Sequence, residues 1–309
     1  MAAFGFLEQM MRVNRCRTRA VLLLLLFAAA VTNAWCEPPK HLVVFMSDFG
    51  QLDDAVSICK GVMISTDPEV RIIDLLHDVT PYSIADGARF LAGTAPYYPR
   101  GTVFVIVIDP GVGSKRKAIV ARSRKGQFFV LPDNGLLTLL QDRDGIDEVH
   151  EIQNPKWMIG AGISSTFHGR DIFSPVAAHV ARGDDVAEVG PLLNTRDLVR
   201  LNIPQAKIGP AGISGTVFAV DGPYGNAITD ITRDQFAALG YNVGDNVRFT
   251  LGDRILESPF VKTFSDVPVG KPLFYIDSRG RLALAINQGD FARQYDLKLP
   301  VKIDIPNKK

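Results

Sequence analysis

The sequence predicts an α/β protein in two parts, a Rossmann-like α/β domain followed by a small all-β domain, and three observations carry that prediction. From His41 onward, short β-branched runs alternate with amphipathic helical stretches, the pattern of a largely parallel sheet covered by helices. One run, Thr102 to Ile108, is apolar almost throughout, as a central strand buried on both faces should be. After Pro210 the helical spacing nearly vanishes, and short strands separated by Gly, Asp and Pro suit a barrel or a sandwich.

Before the first strand stands a leader. Arg12, Arg15, Arg17 and Arg19 precede an apolar run from Ala20 to Val31 and then Thr32-Asn33-Ala34, the layout of a secretory signal. That run is shorter than the roughly 20 residues of a spanning helix. Residues 1–34 are therefore expected to be a signal peptide cleaved after Ala34 rather than an uncleaved anchor, leaving an exported, periplasmic protein without stable membrane association. Cys36 lacks the preceding aliphatic and small residues of a lipid-attachment site. Only Cys36 and Cys59 survive cleavage, so no disulfide framework is implied, and Cys59 reads as a small core residue of a helix.

The elements of the α/β domain, residues 41–190, follow in order. His41–Met46 is the first strand, Asp53–Ile64 an amphipathic helix, Val70–Leu76 a strand and Ile84–Thr94 a second helix. The central strand ends at Asp109-Pro110-Gly111, a strand-breaking junction. Strands at Ala118–Arg122 and Phe128–Leu131 are joined at Lys125-Gly126, Gly135–Leu140 opens a helix, and Phe167–Arg182 carries another. Between 191 and 210 the periodicity fades and prolines recur, as in a linker. The second domain, 211–305, holds strands at Gly215–Val220, Val247–Leu251, Leu273–Ile276, Leu282–Ile286 and Val301–Ile305.

Charge narrows the partners. The chain carries 34 Lys and Arg against 33 Asp and Glu, and the small positive excess lies largely in the leader, so neither nucleic acid nor an anionic membrane is favoured. In an open α/β sheet, ligands bind beyond the carboxyl ends of the strands. The residues there are polar: Ser47-Asp48-Phe49-Gly50 with Asp53-Asp54, and Asp109-Pro110-Gly111-Val112-Gly113. Neither stretch has the spacing of a phosphate loop, and acidic residues at these ends repel phosphate. Asp48, Asp53, Asp54 and Asp109 suit a hard metal ion or the hydroxyls of a ribose; for Asp53 and Asp54, capping of the first helix is the alternative. His168 lies in a polar approach to a helix, where a functional role requires a carboxylate and a basic partner to converge on it. No Cys/His pair has zinc spacing.

Six motifs in order now resemble one family. They are Ser47-Asp48-Phe49-Gly50 with Asp53-Asp54, Asp109-Pro110-Gly111-Val112-Gly113 with Arg116, Pro132-Asp133-Asn134-Gly135, Phe167-His168-Gly169-Arg170, Asp221-Gly222-Pro223-Tyr224-Gly225-Asn226, and Ser278-Arg279-Gly280. Together, over residues 41 to 305, they resemble the S-adenosylmethionine (SAM) hydroxide adenosyltransferases, relatives of the fluorinase and chlorinase. The resemblance implies a C-terminal β-barrel and a homotrimer, with each site between the N-terminal domain of one subunit and the C-terminal domain of the next. It implies hydrolysis of SAM to adenosine and L-methionine by attack of water or hydroxide at the ribose C5′, with SAM as substrate and no cofactor or metal. The water-handling triad would be Asp109, Arg116 and His168. Asp48 would hold the ribose hydroxyls, and Phe264 and Asn226 would stack on and hydrogen-bond the adenine. Asp221 would meet the methionine ammonium, while Ser278 and Arg279 would hold its carboxylate, the planar guanidinium being suited to that grip.

A nearby Arg116 disfavours Asp109 as a simple proton acceptor, so the expectation is a shared role: Arg116 and His168 stabilise a developing hydroxide while Asp109 orients the water and the imidazole. Two rivals remain. A halogenase on the same fold conflicts with an anionic Asp109, and the short link between Ala118–Arg122 and Phe128–Leu131 stands where the fluorinase has a long insertion. A periplasmic nucleoside- or SAM-binding protein without turnover has no use for the triad.

Overall fold

The computed structural model describes residues 40–160 and 162–308, so the leader and its cleavage point lie outside the described residues. Among those described, no helix is long and apolar enough to cross a membrane.

The first part is a six-stranded sheet in the order β2-β1-β3-β5-β4-β6, built from β1 (Leu42–Ser47), β2 (Arg71–Leu76), β3 (Val103–Val107), β4 (Ala118–Ser123), β5 (Phe128–Pro132) and β6 (Ile146–Glu151). Strands β2, β1, β3 and β5 run parallel and β4 is antiparallel to both β5 and β6, so five of the six strands share one direction and β4 alone is reversed in a largely parallel, mixed sheet. The reason is the short link at Lys125-Gly126: a hairpin reverses direction, whereas a parallel return needs a crossover.

Alternation along β1 and β3 divides the core in two. Val43, Phe45, Val103, Val105 and Val107 face α1 (Ala55–Thr66) and α4 (Ser174–Arg182), packing on Cys59, Met63, Phe173 and Val176. Val44, Met46, Phe104, Ile106 and Ile108 point the other way onto α2 (Ile84–Thr94) and α3 (Thr138–Asp144), through Leu91 and Leu140. Burial pushes the Cys59 thiol up to about 11, which fits the inert core residue expected.

The second part holds β7 (Lys207–Gly209), β8 (Gly212–Asp221), β9 (Asn226–Thr232), β10 (Asn246–Leu251), β11 (Arg254–Pro259), β12 (Pro272–Ile276), β13 (Arg281–Ile286) and β14 (Val301–Pro306), with short helices α5 (Arg233–Ala237) and α6 (Phe291–Gln294). Its antiparallel sheet runs β11-β10-β14-β8-β9-β13-β12, with β7 paired to β8. A bridge between Phe260, just past β11, and Phe274 on β12 brings the two ends together, so the sheet is a nearly closed barrel around Phe236, Phe249, Phe274 and Phe291.

Candidate active site

Strand β1 has β2 on one side and β3 on the other, so the chain changes direction across the sheet between β1 and β3. At such a switch point the loops leaving two neighbouring strands diverge and open a crevice. The crevice here has a volume of about 360 Å³. Asp48 and Phe49 follow β1, Asp109 and Val112 follow β3, and Thr166 to Gly169 close it from the approach to α4.

The three proposed water-handling residues form one chain of contacts. Arg116 Nε donates to Asp109 Oδ1 at 2.9 Å and Oδ2 at 3.0 Å, and its Nη2 also reaches Asp109 Oδ2. The same Nη2 donates to His168 Nδ1 at 2.7 Å. Arginine only donates, so Nδ1 is the acceptor and the neutral ring carries its proton on Nε2. Burial, and then the Arg116 charge, hold the His168 pKa below its ordinary value, favouring that neutral form. No hydrogen bond joins Asp109 to the imidazole; the link between them runs through Arg116, whose guanidinium also lies 5.2 Å from the centre of the Phe173 ring.

Local structure explains how two distant loops reach this register. Asn134 Nδ2 donates to the Ile108 carbonyl at 2.9 Å and so fixes the end of β3 just before Asp109. His168 precedes a π turn, Gly169–Phe173, that leads into α4. Pro175 has no N–H to give the Asp171 carbonyl, which accepts from Ile159 N at 2.9 Å instead; such wide turns are frequent at functional sites. The buried Asp171 carboxylate accepts from Ser164 N at 2.7 Å and from Arg170 Nε at 2.5 Å, tying the loop before His168 to the helix. Gly169 lets Phe49 close the floor: a Cβ there would stand 3.0 Å from Phe49 Cζ.

Asp48 lines the crevice, and its Oδ2 accepts from Tyr82 N at 2.8 Å. Tyr82 itself was not foreseen from sequence. It is an exposed aromatic on the crevice wall with φ of +65°, an uncommon conformation outside glycine and one concentrated at ligand sites. Its nearest sequence signal is the Pro81-Tyr82 step before α2. Asp53 and Asp54 are exposed outside the crevice; Asp53 Oδ1 accepts from Ala55 N at 3.0 Å, a turn at the start of α1. Among the described residues, no group of three or more His, Cys, Asp or Glu is arranged to hold a metal ion.

The remaining proposed binding residues are not on the crevice wall. Asp221 and Asn226 face each other across the β8–β9 turn. Phe264 is partly exposed, its ring 4.9 Å from that of Tyr275. Ser278 and Arg279 are exposed at the β12–β13 turn, and Arg279 Nη1 stands 3.9 Å from Asp221 Oδ1. Burial and then the Asp221 charge push the Tyr275 hydroxyl above its ordinary value, keeping it neutral beside this group. The expected site residues thus fall into two groups, or half-sites: Asp48, Asp109, Arg116 and His168 on the first part, and Asp221, Asn226, Phe264, Ser278 and Arg279 on the second.

Comparison with known proteins identifies the family. Residues 43–190 match the SAM hydroxide adenosyltransferase N-terminal domain and residues 215–304 the C-terminal domain. An (R)-S-adenosyl-L-methionine hydrolase of Salinispora arenicola is 40% identical over 250 residues, covering 80% of this chain and 90% of the relative. A fluorinase of Actinopolyspora mzabensis is 33% identical over 284 residues, covering 84% and 95%. The crystal structure of an uncharacterized conserved protein from Thermotoga maritima superposes with a TM-score of 0.80 at 35% identity, covering 86% of this chain and all of that one. With both halves matched in order, the chain belongs to the SAM hydroxide adenosyltransferase family.

Proposed function

We propose that the protein hydrolyses SAM to adenosine and L-methionine, and the observation that carries this reading is that Arg116 joins Asp109 and His168, two residues of the crevice wall, in one chain of contacts. Water held by the Asp109 carboxylate attacks the ribose C5′. A C5′–O bond forms as the C5′–S bond breaks, the electron pair leaves on sulfur to give the neutral thioether of methionine, and the proton lost by the attacking water passes to bulk solvent. No proton is needed by that leaving group, so the site's work is to aim the oxygen and stabilise it as it becomes hydroxide-like. Neutral His168 offers Nε2–H for that purpose, and Arg116 fixes the ring that carries it. The apolar walls of Phe49, Val107, Val112 and Phe167 favour a reaction that disperses charge.

Halogenation is disfavoured by the same group, because a carboxylate at the nucleophile position repels a halide in a partly buried site. The short β4–β5 hairpin is a second point against it. The two half-sites support a homotrimer in which the second part of one subunit closes the crevice of its neighbour. The leader supports export to the periplasm, which cell fractionation would check. The deciding experiment incubates the purified protein with SAM, without and with chloride, and separates the products. Equal amounts of adenosine and methionine, lost in His168→Ala, are expected. A halogenated nucleoside would make it a halogenase, and intact bound SAM a binding protein.

A further inference from the structure

We propose that Arg89 and Gly93, one helical turn apart on α2, are positioning residues for the amino-acid end of the substrate, acting from behind Asp221 and Arg279. The inference rests on the SAM reading above and adds residues which that reading does not use.

Arg89 is 6% exposed, and its Nη1 donates to Asp221 Oδ1 at 2.9 Å across 132 residues of sequence. On its own helix its Nε reaches Asp86 Oδ1 at 3.4 Å, while the guanidinium lies 4.3 Å from the centre of the Phe90 ring. Asp86 is held in turn by Thr80 Oγ1 at 2.6 Å. The buried cation is therefore fixed, and it occupies one oxygen of Asp221. Arg279 remains beyond hydrogen-bond reach of that same oxygen, at 3.9 Å. The consequence is a division of labour between two cations. Because Arg89 satisfies Asp221, Arg279 is not drawn onto it, and its fork stays open to a ligand carboxylate while the second Asp221 oxygen stays open to an ammonium.

Gly93 sets the other coordinate. Residues four apart share a helix face, so Gly93 stands beside Arg89 on the side turned to the second part of the chain. A Cβ at Gly93 would lie 2.7 Å from Arg279 Nε, 3.2 Å from Cζ and 3.3 Å from Nη2. The guanidinium rests on bare backbone there. All three atoms belong to a flexible side chain, so an added methyl group displaces the arginine rather than the helix.

This makes Gly93→Ala the informative variant, since alanine favours a helix interior over glycine and should leave the melting temperature equal or higher. The expected result is a KM for SAM raised about tenfold with kcat little changed, as for a weakened charge-assisted bond made equally in ground and transition states. With decarboxylated SAM, which has no carboxylate for Arg279, the same substitution should change KM by less than about twofold; a general packing defect would affect both substrates alike. Arg89→Gln should raise KM for SAM further. An unchanged KM in Gly93→Ala, or an equal rise with both substrates, overturns the positioning role while leaving the hydrolase intact. A wild-type protein that neither turns over nor binds SAM overturns both readings.

Discussion

His168 is the residue whose protonation matters most. Its folded pKa lies below the ordinary value of about 6.5, so between the two values the unfolded chain takes up a proton that the folded chain refuses. Stability should therefore fall as pH drops below about 6.5 and be independent of this residue above it. Urea midpoints compared between wild type and His168→Gln across that range check this: the variant should lose part of the acid slope. The acid limb of kcat/KM should follow the folded imidazole and so set in below its ordinary value, because protonation of Nδ1 removes the acceptor that Arg116 requires. Asp109→Asn tests the carboxylate. We expect kcat to fall at least about a hundredfold with SAM still bound, measured by single turnover and calorimetry. At this scale Asp48 and Asp109 stood out because they follow strand ends, whereas Arg116 and His168 were assigned their roles through the family resemblance. Tyr82 was not, since what marks it is a backbone angle that no residue type at that position announces.

Among the elements, those buried on both faces read well. The apolar run of β3 is recognisable without a structure, because burial on both faces leaves little choice of residue; the span of α2 is recognisable because its buried residues sit on one side at helical spacing. Strand β6 was missed: it is an edge strand, Ile-Asp-Glu-Val-His-Glu, whose charges conceal its three buried residues. Strand β9 was missed for another reason. It is buried nearly throughout, yet Asn226, Thr229 and Asp230 read as turn residues, and they are tolerated because partners await them, such as the Leu282 carbonyl for Thr229 Oγ1 at 2.7 Å. The turn after β3 and the loop before His168 meet as elements at Gly113, where φ is +75° and an added Cβ would collide with the Ser165 carbonyl. Gly113→Ala should cost about 1–2 kcal/mol for the left-handed conformation alone, and more from the collision. Chemical denaturation should show that loss, and turnover should fall with it because Asp109 and His168 separate.

For the whole molecule, the two half-sites give a prediction that no single chain can satisfy. If the proposed trimer with shared sites holds, Asp109→Asn and Asp221→Asn, each of low activity alone, should regain turnover when co-expressed, because a mixed assembly would contain some sites with both wild-type halves. Light scattering should report three chains per particle. Failure to complement would mean that each chain builds its site by itself. The contact between Gly113 and Ser165 has a further meaning for the history of such proteins. The approach there is between main-chain atoms, so it does not depend on which side chains stand at positions 109 and 168. An ancestral sequence could exchange the groups at positions 109 and 168 without rebuilding the loops. One scaffold would then admit more than one attacking species.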